Sequence, residues 1–304
     1  MFFALILALL GSPLGSSPAL AHGGHAVAPN ALIAEWRPDF LLAVLVTLAA
    51  LTYGRGLARL WRQAGTGRGI RSGEAAAFAG GILVLALALL SPLETATGTL
   101  LTAHMVQHVL LIAIAPPLII FGRPDAALAF ALPQTTRRSA AVAPWLRVPL
   151  KGLRHLARPL PAAGIHAAAI WIWHAPGPFQ AALASDLLHD LEHASFFLTA
   201  LLFWQSVIVA ARGPATLVAA ILATLATLIQ GGFLGALITL SARPLYPAYS
   251  GAEFWGLTPL ADQQLAGLVM WIPMGAVYLL TGLVLAARLV GPDEPQPRPG
   301  RGRC

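Results

Sequence analysis

Two pairs of histidines stand four residues apart in strongly apolar stretches of the sequence. His104 and His108 lie in HMVQHVLLIAIAPPLIIFG, and His189 and His193 lie in HDLEHASFFLTALLFW. Residues i and i+4 of a helix project from the same face, so both rings of a pair could reach one ion. Neutral imidazole is the commonest protein ligand for metals. The two pairs together predict a metal or haem site.

The composition places these histidines in a membrane. Of the 304 residues, 57% are hydrophobic and 10% are charged, and the mean hydropathy is +0.73. Apolar runs recur along the whole chain and leave no stretch for a separate soluble domain. We therefore expect an all-α membrane protein, a bundle of seven transmembrane helices over residues 39–290. Seven segments are long enough to cross as helices, near 39–60, 74–92, 98–121, 160–175, 188–211, 215–240 and 261–289.

The first 21 residues have the pattern of a signal peptide. A short apolar stretch is followed by a Gly/Ser/Pro break and by Ala19-Leu20-Ala21, a typical cleavage site. No Lys or Arg precedes the apolar stretch, so an uncleaved anchor is the alternative. Residues 22–38 would then be a periplasmic segment, and cleavage would leave His22 and His25 beside a free amine that could capture Cu(II). The Pro- and Arg-rich tail, 291–304, is expected to be disordered.

The basic residues predict the orientation of the bundle. With the amino terminus outside, 17 of the 19 Lys and Arg residues fall on the inner side, and only Arg37 and Arg243 fall outside. Cytoplasmic loops retain such residues, so the chain is predicted to be a multi-pass protein of the bacterial inner membrane with a cytoplasmic carboxyl terminus. The position of the Lys and Arg residues beside the lipid bilayer explains the net positive charge of the chain, so no nucleic-acid partner is needed to account for it.

This topology brings histidines from three helices to one level of the membrane. Counted from the outer ends of their segments at 1.5 Å per residue, His104, His108, His189 and His193 all lie within roughly 15 Å of the surface. His174 is at the outer rim of the fourth segment. One intramembrane histidine is more often a hydrogen-bonding residue, but five at similar depth favour a functional site.

Other residues are candidates for a second tier. His166 lies two turns below His174 and is expected in a lower layer, because the two cannot share one ion in an unbroken helix. Met105, with Met270 and Met274, could supply thioether ligands, although Met usually packs. Asp262 could orient a ligand imidazole or could cap a helix. The one cysteine, Cys304, is the last residue, which excludes a thiolate site within the bundle.

Several linked motifs resemble the CtaG family of cytochrome c oxidase assembly factors, the multi-span bacterial type. They are HMVQHVLLIAIAPPLIIFGRP, WIWHAPGPFQAAL, HDLEHASFFLTALLFW, LYPAYSGAE and ADQQLAGLVMWIP, within residues 35–290. The resemblance implies a non-enzymatic inner-membrane protein that matures a haem-copper oxidase by supplying copper. The oxidase subunits and a periplasmic copper donor would be its partners. The recurrent histidines of the family fall on His104, His108, His174, His189 and His193, and its acidic residue falls on Asp262.

Copper agrees with the residue chemistry, because imidazole sites prefer copper over zinc. Three alternatives stay open. Facing histidine pairs could ligate haem b in an electron-transfer protein. HDLEH also matches H-x-x-E-H, in which Glu192 would be the base of a membrane zinc hydrolase. A copper permease would need ligands that continue to the inner face, and the inner halves of the segments carry none.

Overall fold

The computed structural model describes residues 26–131 and 155–291, which form helices joined by loops. The predicted signal peptide, His22, His25, Cys304 and the tail beyond Gly291 lie outside these ranges. We number the helices in chain order: α1 Leu32–Glu35, α2 Phe40–Ala64, α3 Ser72–Leu90, α4 Pro92–Thr97, α5 Leu101–Phe121, α6 Pro124–Ala131, α7 Pro159–His174, α8 Pro176–Leu183, α9 Asp186–Ala210, α10 Pro214–Leu240 and α11 Pro259–Val290. A 3₁₀ helix, Ser250–Trp255, precedes α11.

Proline sets the start of many of these helices. Pro92, Pro159, Pro176, Pro214 and Pro259 each occupy the first position of a helix. The amide that proline lacks would have no partner within the helix at that position, and its fixed φ suits the first turn. The prolines therefore mark the boundaries between successive elements at little cost in hydrogen bonding.

Six of the helices are long and apolar enough to cross a membrane: α2, α3, α5, α9, α10 and α11. The chain is therefore a multi-pass membrane protein. The predicted fourth span is present as α7, but its 16 residues fall short of the length required of a span. At 1.5 Å per residue it is about 24 Å long, against a hydrocarbon core of about 30 Å. The count of seven crossings is thus not confirmed by helix length.

The relative directions of the helices follow from side-chain contacts. The ring of His174 lies 5.5 Å from that of Phe196, and the ring of His166 lies 5.7 Å from that of Phe203. Residue numbers fall along α7 as they rise along α9, so the two helices are antiparallel. The histidine at the end of α7 therefore meets the first turns of α9.

The same end of the bundle collects other helix termini. Asp262 of α11 accepts a hydrogen bond from the amide of Leu101 at the start of α5, at 2.7 Å. Gln263 donates to the carbonyl of Ile238 near the end of α10, at 3.3 Å. We call this the histidine end of the bundle.

Helix α5 changes its winding below the histidines. Residues Leu110–Ile114 form a π-helical turn just before Pro116 and Pro117. Pro116 cannot donate to the carbonyl of Ile112 four residues earlier, and the indole of Trp204 donates to that carbonyl instead, at 3.0 Å. Pro273, by contrast, lies inside α11, which continues without a break from Pro259 to Val290.

Candidate metal centre

Five histidines from three helices come together at the histidine end. The ring centroid of His104 lies 4.3 Å from that of His108, 5.4 Å from His189 and 5.9 Å from His193. The rings of His108 and His174 are 5.4 Å apart. None of the five residues is more than 9% exposed. Helices α5, α7 and α9 thus place these imidazoles in one buried cluster.

Two groups within this cluster have their potential ligand atoms close enough for one ion. The first consists of His104, His189 and His193, and the second of His104, His108 and Glu192. In each group all three atoms lie within 4.8 Å of one another. His104 belongs to both groups. His174 contacts His108 but belongs to neither of them.

Glu192 belongs to the second ligand group, although the sequence suggested it only as the base of a zinc hydrolase. Its side chain is fully buried, with Oε1 3.8 Å from Nε2 of His108 and Oε2 4.0 Å from Nε2 of His104. Neither oxygen has a hydrogen-bond partner among the described residues. The spacing in HDLEH contained the signal, because positions i, i+3 and i+4 share one helix face. Glu192 therefore faces the same cluster as His189 and His193.

The hydrogen bonds of His174 define which of its nitrogens could bind metal. Nδ1 lies 2.8 Å from the carbonyl of Ile170, which can only accept, so Nδ1 carries the proton. Nε2 is buried and has no hydrogen-bond partner within residues 26–131 and 155–291. The backbone carbonyl of His174 accepts from the hydroxyl of Tyr246 at 2.7 Å. His174 is thus held in the tautomer that presents Nε2 as a lone pair.

A buried tyrosine, which sequence reasoning missed, orients His104. The hydroxyl of Tyr249 lies 2.6 Å from Nδ1 of His104. Tyr249 precedes the 3₁₀ helix, and burial raises its pKa well above 10, so the phenol is neutral near pH 7. A partner on one ring nitrogen fixes the ring and leaves the other nitrogen to the metal. The LYPAYSGAE motif contains this residue, but its contact spans 145 positions and has no local signal.

Asp262 caps a helix, and the helix is α5. Its Oδ2 accepts from the amide of Leu101, and its Oδ1 accepts from the amide of Thr102 at 3.0 Å and from the hydroxyl of Thr102 at 2.6 Å. These bonds go to the backbone and a hydroxyl, not to an imidazole. The predicted cap of its own helix is provided by Thr258 instead, and the helix that Asp262 caps is the one that carries His104 and His108.

The remaining candidates have contacts of other kinds. His166 is fully buried one layer lower, with Nδ1 2.9 Å from the hydroxyl of Thr199. A β-carbon on Gly231 would lie 2.6 Å from the terminal methyl of Met274, so this methionine packs on α10. Met105 and Met270 are buried core residues.

Comparison with known protein families shows which family this chain belongs to. The model of the cytochrome c oxidase caa3 assembly factor (CtaG) family matches residues 51–291. The chain belongs to this family. Neither a curated protein nor a solved structure shows detectable similarity to it.

Membership of the CtaG family indicates a role in assembling cytochrome c oxidase in a membrane. The matched region contains both ligand groups, Tyr249 and Asp262. His22 and His25 precede the matched region and lie outside the described residues. The part of the chain that defines the family is therefore also the part that builds the cluster.

Proposed function

We propose that this CtaG-family protein binds copper in the histidine cluster and supplies it to a haem-copper cytochrome c oxidase during assembly. The observation that carries the proposal is the convergence of His104, His108, His174, His189 and His193 in a buried site. Buried imidazoles without another purpose are costly in a membrane bundle. A cage of nitrogen donors at membrane depth would let copper pass to another membrane protein without entering bulk water.

Several features favour a copper ion over the alternatives. Imidazole donors hold copper more tightly than zinc. The ring centroid of His104 lies 4.3 to 5.9 Å from those of His108, His189 and His193. These separations leave little room for a planar porphyrin between the rings. Both potential ligand groups found in the described residues lie at the histidine end, whereas a permease would need ligands towards the opposite end. These points support a carrier more than a pore or an electron-transfer protein.

The proposal includes seven crossings, with the histidine end facing the periplasm of a bacterial inner membrane. The antiparallel packing of α7 against α9 supports α7 as the short additional crossing. The distribution of arginine supports the orientation: Arg123, which donates to the carbonyl of Gly69 at 2.7 Å, and Arg212 lie at the opposite end from the histidines. Copper would then arrive from a periplasmic donor.

The decisive experiment measures copper and oxidase together. His104→Ala and His193→Ala should each lower the copper content of the detergent-purified protein and abolish oxidase maturation, with the protein still inserted in the membrane. His155→Ala is the matched control, since His155 is exposed and remote from the cluster. Wild-type copper content and full oxidase activity in both cluster variants would refute the proposal.

The zinc-hydrolase alternative has its own test. A hydrolase that uses Glu192 as a base would cleave peptide substrates when loaded with zinc. It would lose that cleavage in Glu192→Gln, while its zinc stayed bound. A Soret band in the purified protein would instead support haem.

A further inference from the structure

Glu192 is the acidic side chain placed among the imidazoles. It lies in the second turn of α9, is fully buried, and faces His104 and His108 across the boundary with α5. Its two oxygens have no hydrogen-bond partner within the described residues. A buried carboxylate without hydrogen bonds is expensive unless it is protonated or a cation compensates its charge.

The imidazoles alone do not provide that compensation. Neutral imidazole carries no charge, and the distances of 3.8 and 4.0 Å are longer than a hydrogen bond. The same distances suit a cation placed between the carboxylate and the two Nε2 atoms, because metal–nitrogen and metal–oxygen bonds are about 2.0–2.2 Å long. The gap is of the size that one ion would fill.

We propose that Glu192 is a metal ligand, and that it creates a second, inner position for the ion within the cluster. This inference rests on the proposed function. The outer position has three nitrogen donors, from His104, His189 and His193. The inner position has two nitrogen donors and one carboxylate oxygen, from His104, His108 and Glu192.

The shared residue makes the two positions alternatives for one ion. Nδ1 of His104 is engaged with the hydroxyl of Tyr249, so Nε2 is the nitrogen that binds metal, and one nitrogen binds one ion at a time. His108 lies one helical turn farther along α5 than His104, whereas Glu192 lies between His189 and His193 on α9, so the inner position is displaced towards His108 on α5. An ion moves between the positions by exchanging His189 and His193 for His108 and Glu192.

The carboxylate also makes the inner position prefer a doubly charged ion over a singly charged one. Oxygen donors suit divalent ions better than they suit Cu(I), which prefers softer ligands. A unit negative charge interacts twice as strongly with a doubly charged ion as with a singly charged one at the same distance. Glu192 therefore favours Cu(II) over Cu(I) in the inner position, while the three-histidine position accepts either.

The test compares two oxidation states in matched variants. Glu192→Gln keeps the shape and removes the charge, and Glu253→Gln is the control, an exposed carboxylate in the 3₁₀ helix. In Glu192→Gln the affinity for Cu(II) should fall by at least about tenfold, as expected for loss of a ligand or its support. The affinity for Cu(I) should fall less, and Glu253→Gln should match the wild type for both ions. Equal affinities of Glu192→Gln and the wild type for Cu(II) would overturn the inference.

A second measurement keeps the inference testable if Glu192→Gln does not fold. Infrared difference spectra of the wild-type protein, taken before and after Cu(II) addition, should show a shift of carboxylate stretching bands that glutamate isotope labelling identifies. Spectra without a shifted glutamate band would overturn the inference. Failure of the proposed function looks different: the wild type would then bind no copper, whereas failure of this inference leaves copper bound through the histidines alone.

Discussion

Asp262, in the first turn of α11, caps the amino terminus of α5 by accepting a hydrogen bond from the amide of Leu101, 161 residues earlier in the chain. The cap of α11 itself is Thr258, whose hydroxyl accepts from the amide of Ala261 at 3.1 Å. One carboxylate thus fixes the position of α5 relative to α11. Because His104 follows Leu101 by three residues, the cap also fixes the first imidazole of the cluster.

Asp262→Ala should lower both stability and copper affinity. The change leaves two amides at the start of α5 without their acceptor, at a cost of about 1–3 kcal/mol each at a buried site. Thermal unfolding and copper titration of the purified protein measure the two effects. Thr258→Ala removes a cap of the other helix and should lower stability by about 1 kcal/mol while copper affinity stays unchanged. Equal copper affinities in Asp262→Ala and the wild type would contradict the positioning role.

Trp204→Phe should destabilise the bundle, because the carbonyl of Ile112 would lose its hydrogen-bond donor. The indole is the donor that replaces the amide missing at Pro116, and phenylalanine would leave this buried carbonyl unpaired at a cost of about 1–3 kcal/mol. Thermal unfolding in detergent checks the prediction. Trp271→Phe, at a side chain 41% exposed, is the control and should change the unfolding temperature little. Similar shifts in both variants would argue against the special role of Trp204.

Two neighbouring glycines of α3 should respond oppositely to alanine. A β-carbon on Gly81 would lie 2.7 Å from Cγ1 of Ile119 in α5, whereas one on Gly80 would meet nothing within 4 Å. Gly81→Ala should therefore separate α3 from α5 and cost about 1–3 kcal/mol by overpacking. Gly80→Ala should be neutral or stabilising by up to about 1 kcal/mol, since alanine favours helix. Comparable unfolding temperatures of the two variants would contradict this packing.

Glu94, in the short helix α4, should make stability depend on pH. Burial raises its pKa from 4.5 to about 7; the hydrogen bond from Gln107 opposes the shift, and the charges of Asp190 and Asp39 add to it. The unfolded chain releases this proton near pH 4.5 and the folded chain releases it near pH 7. The stabilisation from the protonated form is therefore complete below pH 4.5 and is lost as the pH rises to about 7.

Glu94→Gln removes this dependence and keeps an acceptor for Gln107. The stability of the variant should equal that of the wild type below pH 4.5 and should exceed it above pH 7. Unfolding temperatures measured between pH 4.5 and pH 8 give the comparison. Glu253→Gln, at an exposed site, should follow the wild type at every pH. Parallel curves for Glu94→Gln and the wild type would show that Glu94 does not titrate in this way.

The sequence predicted those features that depend on local spacing. The i, i+4 pairs gave the shared faces of His104 with His108 and of His189 with His193, and the apolar runs placed every long helix within four residues of its observed ends. Helix depth then predicted that His174 would join them. These inferences needed only the rise of a helix and the order of the segments.

The features that it did not predict depend on distant contacts. Tyr249 reaches His104 from a loop, and Asp262 reaches Leu101 from another helix, so no spacing within one segment reveals either pair. Glu192 was visible on the right helix face, but its neighbours on α5 turn it from a candidate base into a potential ligand. The ends of α7 were predicted to within one residue, but a helix of 16 residues is too short to establish a crossing by its length alone.

Val27 gives the amino-terminal segment a structural part in the metal centre. Its amide donates to the hydroxyl of Thr99, just before α5, at 2.9 Å, and its carbonyl accepts from the indole of Trp255, just before α11, at 3.0 Å. This single residue ties together the two loops that lead into the helices of His104 and Asp262. A truncation that begins after Val27 would loosen the histidine cluster while leaving all of its imidazoles in place, so any loss of metal affinity in a shortened chain would reveal tethering rather than coordination.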